Sequence, residues 1–301
     1  MRETLVVHNR YAWRSHRTRA ALTGRQGLQL LTIEQLAARL AGGFIQPIDP
    51  DDFNDAVAAA LAVPMGELDA IKALPGFRRA ATSSLAKAWT AGVNLAEESE
   101  SATDPTAKSR LASLATLERE VLTRLPKNQL RPRDLVMAAS ERSRHAGTVF
   151  GRIEIHGRTE MSPVWQPMLS LITQSTEVVW MAEARHVPDW LSSTGISVDR
   201  STPEHPAISA ISCASHRHEI LEALRWARRH LAQGALPQQI AIAAASPEDW
   251  YDHMLVLAET ANLPIHFVHG RAALTTSEGQ LAAALAEVLL RGFSRTRLTR
   301  L

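Results

Sequence analysis

The chain opens with short apolar runs that alternate with amphipathic segments. Leu5–Val7 and Leu28–Leu31 are apolar runs of the length of buried parallel strands. The segment 10–24 between them is compatible with a helix and ends at a glycine. Thr32 is a candidate N-cap for a second helix, which carries apolar residues as far as Leu40. The pattern predicts a β–α–β–α beginning.

A helical stretch follows, from about residue 49 to residue 146. Prolines divide it into several helices, of which the clearest spans about 106–125 with its leucines on one side. The segment 97–104, which reads EESESATD, is acidic and without periodicity, so we expect a solvated loop tip there. The whole stretch is interpreted as an all-helical insertion in an α/β framework.

Strands and helices alternate again after the insertion. The predicted elements are a strand within 148–155, a helix over 163–172, a strand at Val178–Trp180, a linker up to 206, a strand at Ile208–Cys213, a helix over 218–231, a strand at Ile240–Ala243, a helix capped by Ser246 and a strand at Ile265–Val268. Two consecutive βαβ units in the last hundred residues predict a parallel sheet with helices on its faces. The stripe of Leu281, Leu285 and Val288 is expected to be core. A final helix that opens at Ser294 has no C-cap, and we therefore expect a piece of a longer protein.

Composition excludes some classes of protein and leaves nucleic-acid binding open. The net charge of the 301 residues is only +2, but six arginines face a single acid, Glu3, in the first thirty. Cys213 is the only cysteine, so an internal disulfide and a cysteine-built zinc site are excluded. There is neither a signal-peptide pattern nor a run of about 18 apolar residues. We expect a cytoplasmic protein without a membrane role.

The order of segments resembles that of a known family. The segments that carry the resemblance are LVVHNRYAWRSHRTRAAL with LLTIEQLAARLAGGF, then GRIEIHGRTEMSPVWQPMLSLI, and finally LPQQIAIAAASPEDW, LPIHFVHGRAALTTSEG and a leucine-rich helix. In this order they resemble the amino-terminal, helicase-like portion of the AddB/RecB-like PD-(D/E)XK subunits of helicase–nucleases. The last hundred residues look like the second RecA-like domain of the UvrD-type helicases.

This resemblance implies a fold and a biological setting. The fold class would be α/β, with RecA-like parallel-sheet domains. The first such domain would comprise 1–48 and 147–200, interrupted by the helical insertion 49–146, and 207–301 would begin a second one. The setting would be DNA double-strand break repair by homologous recombination, with an AddA-like helicase subunit as partner. ATP would be used by the partner motor, and Mg²⁺ by a nuclease domain beyond Leu301.

The motifs of a working motor are missing from the sequence. A phosphate-binding loop needs the pattern G-x-x-x-x-G-K-[ST] after the first strand, whereas this chain has HNRYAWRSHRTR there. The strand at Val178–Trp180 leads to a lone acid, Glu183, and not to an Asp-Glu pair. Nor is there a nuclease motif of clustered carboxylates with a lysine, since Asp69 and Lys72 form only a helical surface pair. We expect no ATP hydrolysis, no catalytic residue, no metal and no cofactor in this segment.

Arginines provide the candidate DNA-binding residues. Arg10, Arg14 and Arg17 fall on one face of the first helix, with Tyr11 and Trp13 nearby, so that an aromatic side chain is available for base stacking. A solvated helix face is the alternative interpretation. Arg217 lies between two histidines after a predicted strand, where no third metal ligand is evident and a polar loop is the simpler interpretation. Arg271 belongs to the G-R-x-x-L segment of the resemblance, and a polar loop after a strand is again the alternative interpretation.

Three functions from different classes remain open on the sequence alone. The leading hypothesis is a non-hydrolysing scaffold that contacts single-stranded DNA or broken duplex ends within a repair helicase–nuclease. A second is an active ATP-dependent helicase with an unrecognised phosphate loop, which predicts ATP affinity tighter than millimolar. A third is a stand-alone α/β interaction protein, which predicts no salt-dependent DNA binding.

Overall fold

The chain divides into two compact units, residues 1–206 and 207–301. A computed structural model describes residues 2–182, 186–200, 208–268 and 270–294, apart from the side chains of Arg10 and Glu248. The strands are β1 (Glu3–Val6), β2 (Leu28–Leu31), β3 (Gln46–Pro47), β4 (Gln129–Leu130), β5 (Arg152–Ile155), β6 (Val178–Met181) and β7 (Ser197–Asp199). The helices are α1 (Arg10–Leu22), α2 (Ile33–Ala41), α3 (Pro50–Ala60), α4 (Phe77–Ala91), α5 (Leu95–Ser101), α6 (Pro105–Arg124), α7 (Pro132–Ser140), α8 (Ala146–Phe150), α9 (Gln166–Ile172), α10 (His216–Ala232), α11 (Tyr251–Thr260) and α12 (Ser277–Arg291).

A five-stranded parallel sheet forms the centre of the first unit. Its strand order is β2-β1-β5-β6-β7, and every pairing is parallel. The chain therefore runs outward from β1 to one edge and then from β5 to the other edge, and the order reverses between β1 and β5. This is the arrangement of a doubly wound α/β sheet, and it confirms the predicted α/β class for this unit.

The main core lies on the sheet face that carries Val6, Ile155 and Trp180. These three residues are in register across β1, β5 and β6, and each is 0–1% exposed. Helices α2, α7 and α9 cover them with apolar residues that include Leu36, Leu135, Ala139, Met168 and Leu169. The strands are apolar on this face, as expected for a buried parallel sheet.

The helices α3 to α6 have a core of their own. Phe53, Leu85, Trp89, Leu117 and Val121 are among its buried members. The chain enters this layer through β3 and leaves it through β4, and the two short strands pair with each other in parallel. The Gln129 side chain accepts a hydrogen bond from the Asp49 amide (2.9 Å) and donates one to Asp52 (2.5 Å). Entry and exit of the helical layer are thereby tied together.

Two local predictions in this unit were wrong. Most of the segment 97–104 is helical, because α5 runs from Leu95 to Ser101 and buries Leu95. Glu97 and Glu98 lie in its first turn, where carboxylates stabilise the positive end of the helix. The predicted strand in 148–155 is a strand only from Arg152, because α8 occupies 146–150 and Gly151 makes the turn.

The strands that were predicted for the second unit are not formed. Within 208–268 and 270–294 no residue has strand hydrogen bonding, so the parallel sheet predicted there is not observed. The helices over 218–231 and after Ser246 are confirmed as α10 and α11, although Ser246 makes no side-chain cap. The physical reason is that an apolar run becomes a strand only beside a partner strand. The predicted helix after Ser294 and most of the predicted linker (201–206) lie outside the described residues.

Candidate functional site

Helix α1 carries the strongest concentration of positive charge in the first unit. Its thirteen residues include four arginines and no acid. The side chains of Arg14, Arg17 and Arg19 are exposed, and none of them has a carboxylate partner within the described part of the chain. Arg10 begins the helix, but its side chain lies outside the description. Two of the three predicted arginines of this helix, together with Arg19, therefore face solvent.

Asn9 caps α1 and occupies its amino-terminal amides. The Asn9 side-chain oxygen accepts hydrogen bonds from the backbone N–H groups of Tyr11 (3.0 Å) and Ala12 (2.8 Å). Only residues 7–9 connect β1 to α1. Free amides at such a position are what holds the phosphates of a nucleotide in a phosphate-binding loop. Here two of them are already satisfied by a side chain of the protein itself.

Trp13 anchors the helix to the edge strand of the sheet. Its indole N–H donates to the Leu30 carbonyl of β2 at 3.2 Å, and the guanidinium carbon of Arg17 lies 5.0 Å from the centre of its ring. Trp13 was one of two nearby aromatic residues, with Tyr11, that were considered for base stacking. In the structure it holds α1 in place and supports Arg17 through a cation–π contact.

Two histidines join α1 to the residue that follows strand β5. The rings of His16 and His156 meet edge to face with centres 4.8 Å apart. His156 in turn lies 3.0 Å from a carboxylate oxygen of Glu154. Burial lowers the pKa of His16, and the neighbouring His156, Arg19 and Arg25 lower it further, against the opposing effect of Glu154. His16 is therefore uncharged at neutral pH.

The carboxyl ends of β1 and β5 meet where the strand order of the sheet reverses. Ligands of doubly wound proteins bind at this position. His8 follows β1, and a Cβ atom on Gly157, after β5, would come within 2.8 Å of its Nδ1. The next residue, Arg158, has a buried Nε without a hydrogen-bond partner, and burial lowers its pKa despite the attraction of Glu34. The residues that follow β1 and β5 thus include a partly buried arginine near Glu34 of α2.

The two remaining predicted arginines belong to the second unit. Arg217 is exposed in the first turn of α10. Arg271 is partly buried, and its guanidinium donates to the Thr275 carbonyl at 3.4 Å. No described contact joins Arg217 to Arg271. Arg14 and Arg17 therefore lie on one helix, whereas Arg217 and Arg271 do not contact each other.

Sequence reasoning missed several charged or polar residues that the structure brings forward. Arg19 was overlooked because it does not fall on the i, i+4, i+7 pattern of Arg10, Arg14 and Arg17, although it is exposed on the same helix. His16 and His156 are 140 positions apart, so their contact leaves no local signal. Arg158 likewise gains its place only from the parallel pairing of β1 and β5.

No metal-binding cluster of three or more histidine, cysteine or acidic residues occurs among the residues that the structure describes. Glu183, the lone acid after the strand at Val178–Trp180, lies outside them. None of the described helices is long and apolar enough to cross a bilayer. The chain matches no protein-family model, and no curated protein matches it either.

Proposed function

We propose that this chain is a helicase-like scaffold that contacts DNA without hydrolysing ATP. The observation that carries the proposal is the solvent-facing group of Arg14, Arg17 and Arg19 on a helix that contains no acid. Unpaired arginines bind phosphate oxygens through charge-assisted hydrogen bonds, and this sequence-independent attraction dominates the affinity of proteins for nucleic acid.

The rigidity of α1 supports a role in binding. The helix is fastened by the Asn9 cap, by the Trp13 hydrogen bond to β2 and by the contact of His16 with His156, which follows β5. A helix that is held at several points loses little conformational freedom when its arginines meet a ligand, so less of the interaction energy is lost to ordering.

The junction of β1 and α1 supports the non-hydrolysing part of the proposal. The Asn9 side chain already accepts from two amides at the start of α1, and the exposed His8 packs beside Gly157. A triphosphate at this position would have to displace the Asn9 cap and would find no lysine in 7–24.

The parallel sheet and the sequence resemblance together suggest the setting. We propose that the first unit is a RecA-like domain without a phosphate loop, in an AddB/RecB-like subunit that acts in double-strand break repair and homologous recombination. Its partners would be broken duplex ends or single-stranded DNA and an AddA-like helicase subunit. The doubly wound strand order supports the α/β part of this proposal, and the order of the sequence segments supports the family.

The test is binding to a fluorescent single-stranded oligonucleotide over a range of salt concentrations. We expect affinity to fall steeply with salt and to weaken when Arg14, Arg17 and Arg19 are all changed to alanine. Loss of three phosphate contacts should lower the magnitude of the slope of log K against log salt by about 2. Alanine is tolerated in helices, so α1 should remain folded.

A matched control changes three exposed cations on other helices of the same unit, namely Arg79→Ala, Lys108→Ala and Arg110→Ala. It removes the same charge and should leave the slope nearly unchanged. Equal slopes for wild type and the α1 variant would contradict the proposal. DNA-stimulated ATP turnover by the purified chain would contradict its non-hydrolysing part.

A further inference from the structure

Helix α10 in the second unit has a strongly basic solvent face. The helix packs through Ile220, Leu224 and Ala227, which are 0–7% exposed. The opposite side carries Arg225 and Arg229, and Arg228 lies on its flank. All three arginines are exposed, and together with Glu222 and Ala232 they line a shallow groove of about 440 Å³.

Most of this positive charge is uncompensated. Glu222 is paired with Arg225 at 2.5 Å, whereas Arg228 and Arg229 have no carboxylate partner among the side chains that the structure describes. Two guanidinium groups are therefore available at the groove. Each offers a planar set of donors that matches the oxygens of a phosphate.

An exposed aromatic ring lies beside one of these cations, Arg229. Trp226 is 37% exposed, which is high for the largest apolar side chain. Its ring packs edge to face with that of His230, with the ring centres 4.6 Å apart. Trp226 and Arg229 are three positions apart and hence neighbours on the helix surface. Cations beside an accessible aromatic ring are typical of sites for single-stranded nucleic acid, where the cations follow the backbone and the ring stacks on a base.

We infer that α10 binds a single strand of nucleic acid, with Arg228 and Arg229 on the phosphates and Trp226 stacked on a base. The inference rests on the proposed function, because it adds a second contact surface to a DNA-contacting scaffold. It differs from that proposal in its residues and in its preference, because stacking requires an unpaired base. On α1, by contrast, the Trp13 side chain is engaged with Leu30 and Arg17.

Two variants of the full chain test the inference on single-stranded and blunt duplex oligonucleotides. Arg228→Ala with Arg229→Ala should weaken binding of the single strand and lower the magnitude of its salt slope by about 1.4, as expected for two phosphate contacts. Trp226→Leu should weaken single-strand binding by about tenfold and leave duplex binding nearly unchanged. Lys108→Ala with Arg110→Ala is the charge-matched control, and circular dichroism shows whether α10 remains folded.

The outcomes separate this inference from the proposed function. If the α1 variant loses affinity while both α10 variants bind like wild type, the inference is wrong and the proposed function stands. If wild type binds no oligonucleotide, both fail. Equal losses of single-strand and duplex binding in Trp226→Leu would overturn the stacking role. Displacement of the single strand by poly-glutamate at equal charge would assign the face to an acidic protein, and this would also overturn the inference.

Discussion

His16 couples the position of α1 to the protonation state of the protein. Burial, His156 and the nearby arginines hold its pKa below the ordinary histidine value of about 6.5. The folded chain therefore binds fewer protons at this site than the unfolded chain does at mildly acidic pH. Because the folded-state pKa is depressed, stability falls as pH drops below the ordinary value and levels off below the folded one.

We expect the midpoint of thermal unfolding of wild type to fall more than that of His16→Gln between about pH 7.5 and about pH 5.5. Glutamine cannot take up the proton that favours unfolding. His253→Gln, at an exposed position of α11, is the control and should retain the wild-type dependence. The same decline in all three proteins would show that His16 does not contribute to the acid sensitivity.

The backbone conformation between α8 and β5 requires a glycine at position 151. Its φ is +65°, and a Cβ atom there would lie 1.9 Å from the Arg2 carbonyl oxygen. Only glycine permits both this conformation and this approach of β1 to the end of α8. In the sequence Gly151 lies within VFGRIEI, which resembles a continuous strand, and the residues around the glycine do not indicate a turn.

At the scale of elements, local sequence patterns predicted helix starts and some strands, but they did not predict which strands would pair. The run Leu28–Leu31 forms β2, and Thr32 forms a capping box with Gln35, because both signals are local. The runs Ile208–Cys213, Ile240–Ala243 and Ile265–Val268 are just as apolar but have no strand partner in the described part of the unit. A strand depends on a neighbour that a local pattern does not specify.

In the candidate site, too, local features could be predicted from the sequence and tertiary contacts could not. The exposure of Arg14 and Arg17 was predictable from the position of charges on a helix. The engagement of Trp13 with Leu30, and that of His16 with His156, was not predictable, because each depends on how α1 packs against the sheet.

The prediction that one stripe of α12 is core was only partly right. Val288 is 3% exposed as expected, but Leu281 and Leu285 are about half exposed and are not core.

The helical layer depends on a buried charge network between α4, α6 and the start of α7. Glu118 is only 6% exposed, and it accepts hydrogen bonds from the Trp89 indole (2.6 Å) and from Arg131 (2.5 Å). Arg131 also donates to Asp134 at 2.8 Å. Such a network is costly to break from one side, because a buried carboxylate is then left without its cation.

Arg131→Met should lower the free energy of unfolding by about 3 kcal/mol, measured by urea denaturation. The double variant with Glu118→Leu should recover much of that loss, because no buried charge then remains unpaired. Arg124→Met provides the control, since it breaks the more exposed pair with Glu120 on α6 and should cost less than about 1 kcal/mol. Equal losses for Arg131→Met and Arg124→Met would contradict the importance of the buried network.

At the scale of the whole molecule, the two units differ in the size of their cores. Among the described residues, the buried apolar cluster of the second unit consists of Ile220, Leu224, Met254 and Ala258, with partly buried neighbours around it. The first unit contains two larger clusters, one on the sheet and one in the helical layer. Local stability follows the amount of buried apolar contact, so the units should open independently and at different free energies.

We expect amide hydrogen exchange to reflect this difference, with α10 and α11 exchanging at a lower free energy of opening than β5 and α9. Leu224→Ala should accelerate exchange in α10 and α11 and leave α9 unchanged, because it removes a 3% exposed side chain from the smaller cluster. Met168→Ala, in the larger cluster, is the reciprocal variant and should accelerate exchange in β5 and α9 only. If either substitution accelerated exchange equally throughout 2–294, the two units would form one cooperative structure, and the proposed DNA-binding surfaces on α1 and α10 would then have to be treated as parts of a single folding unit.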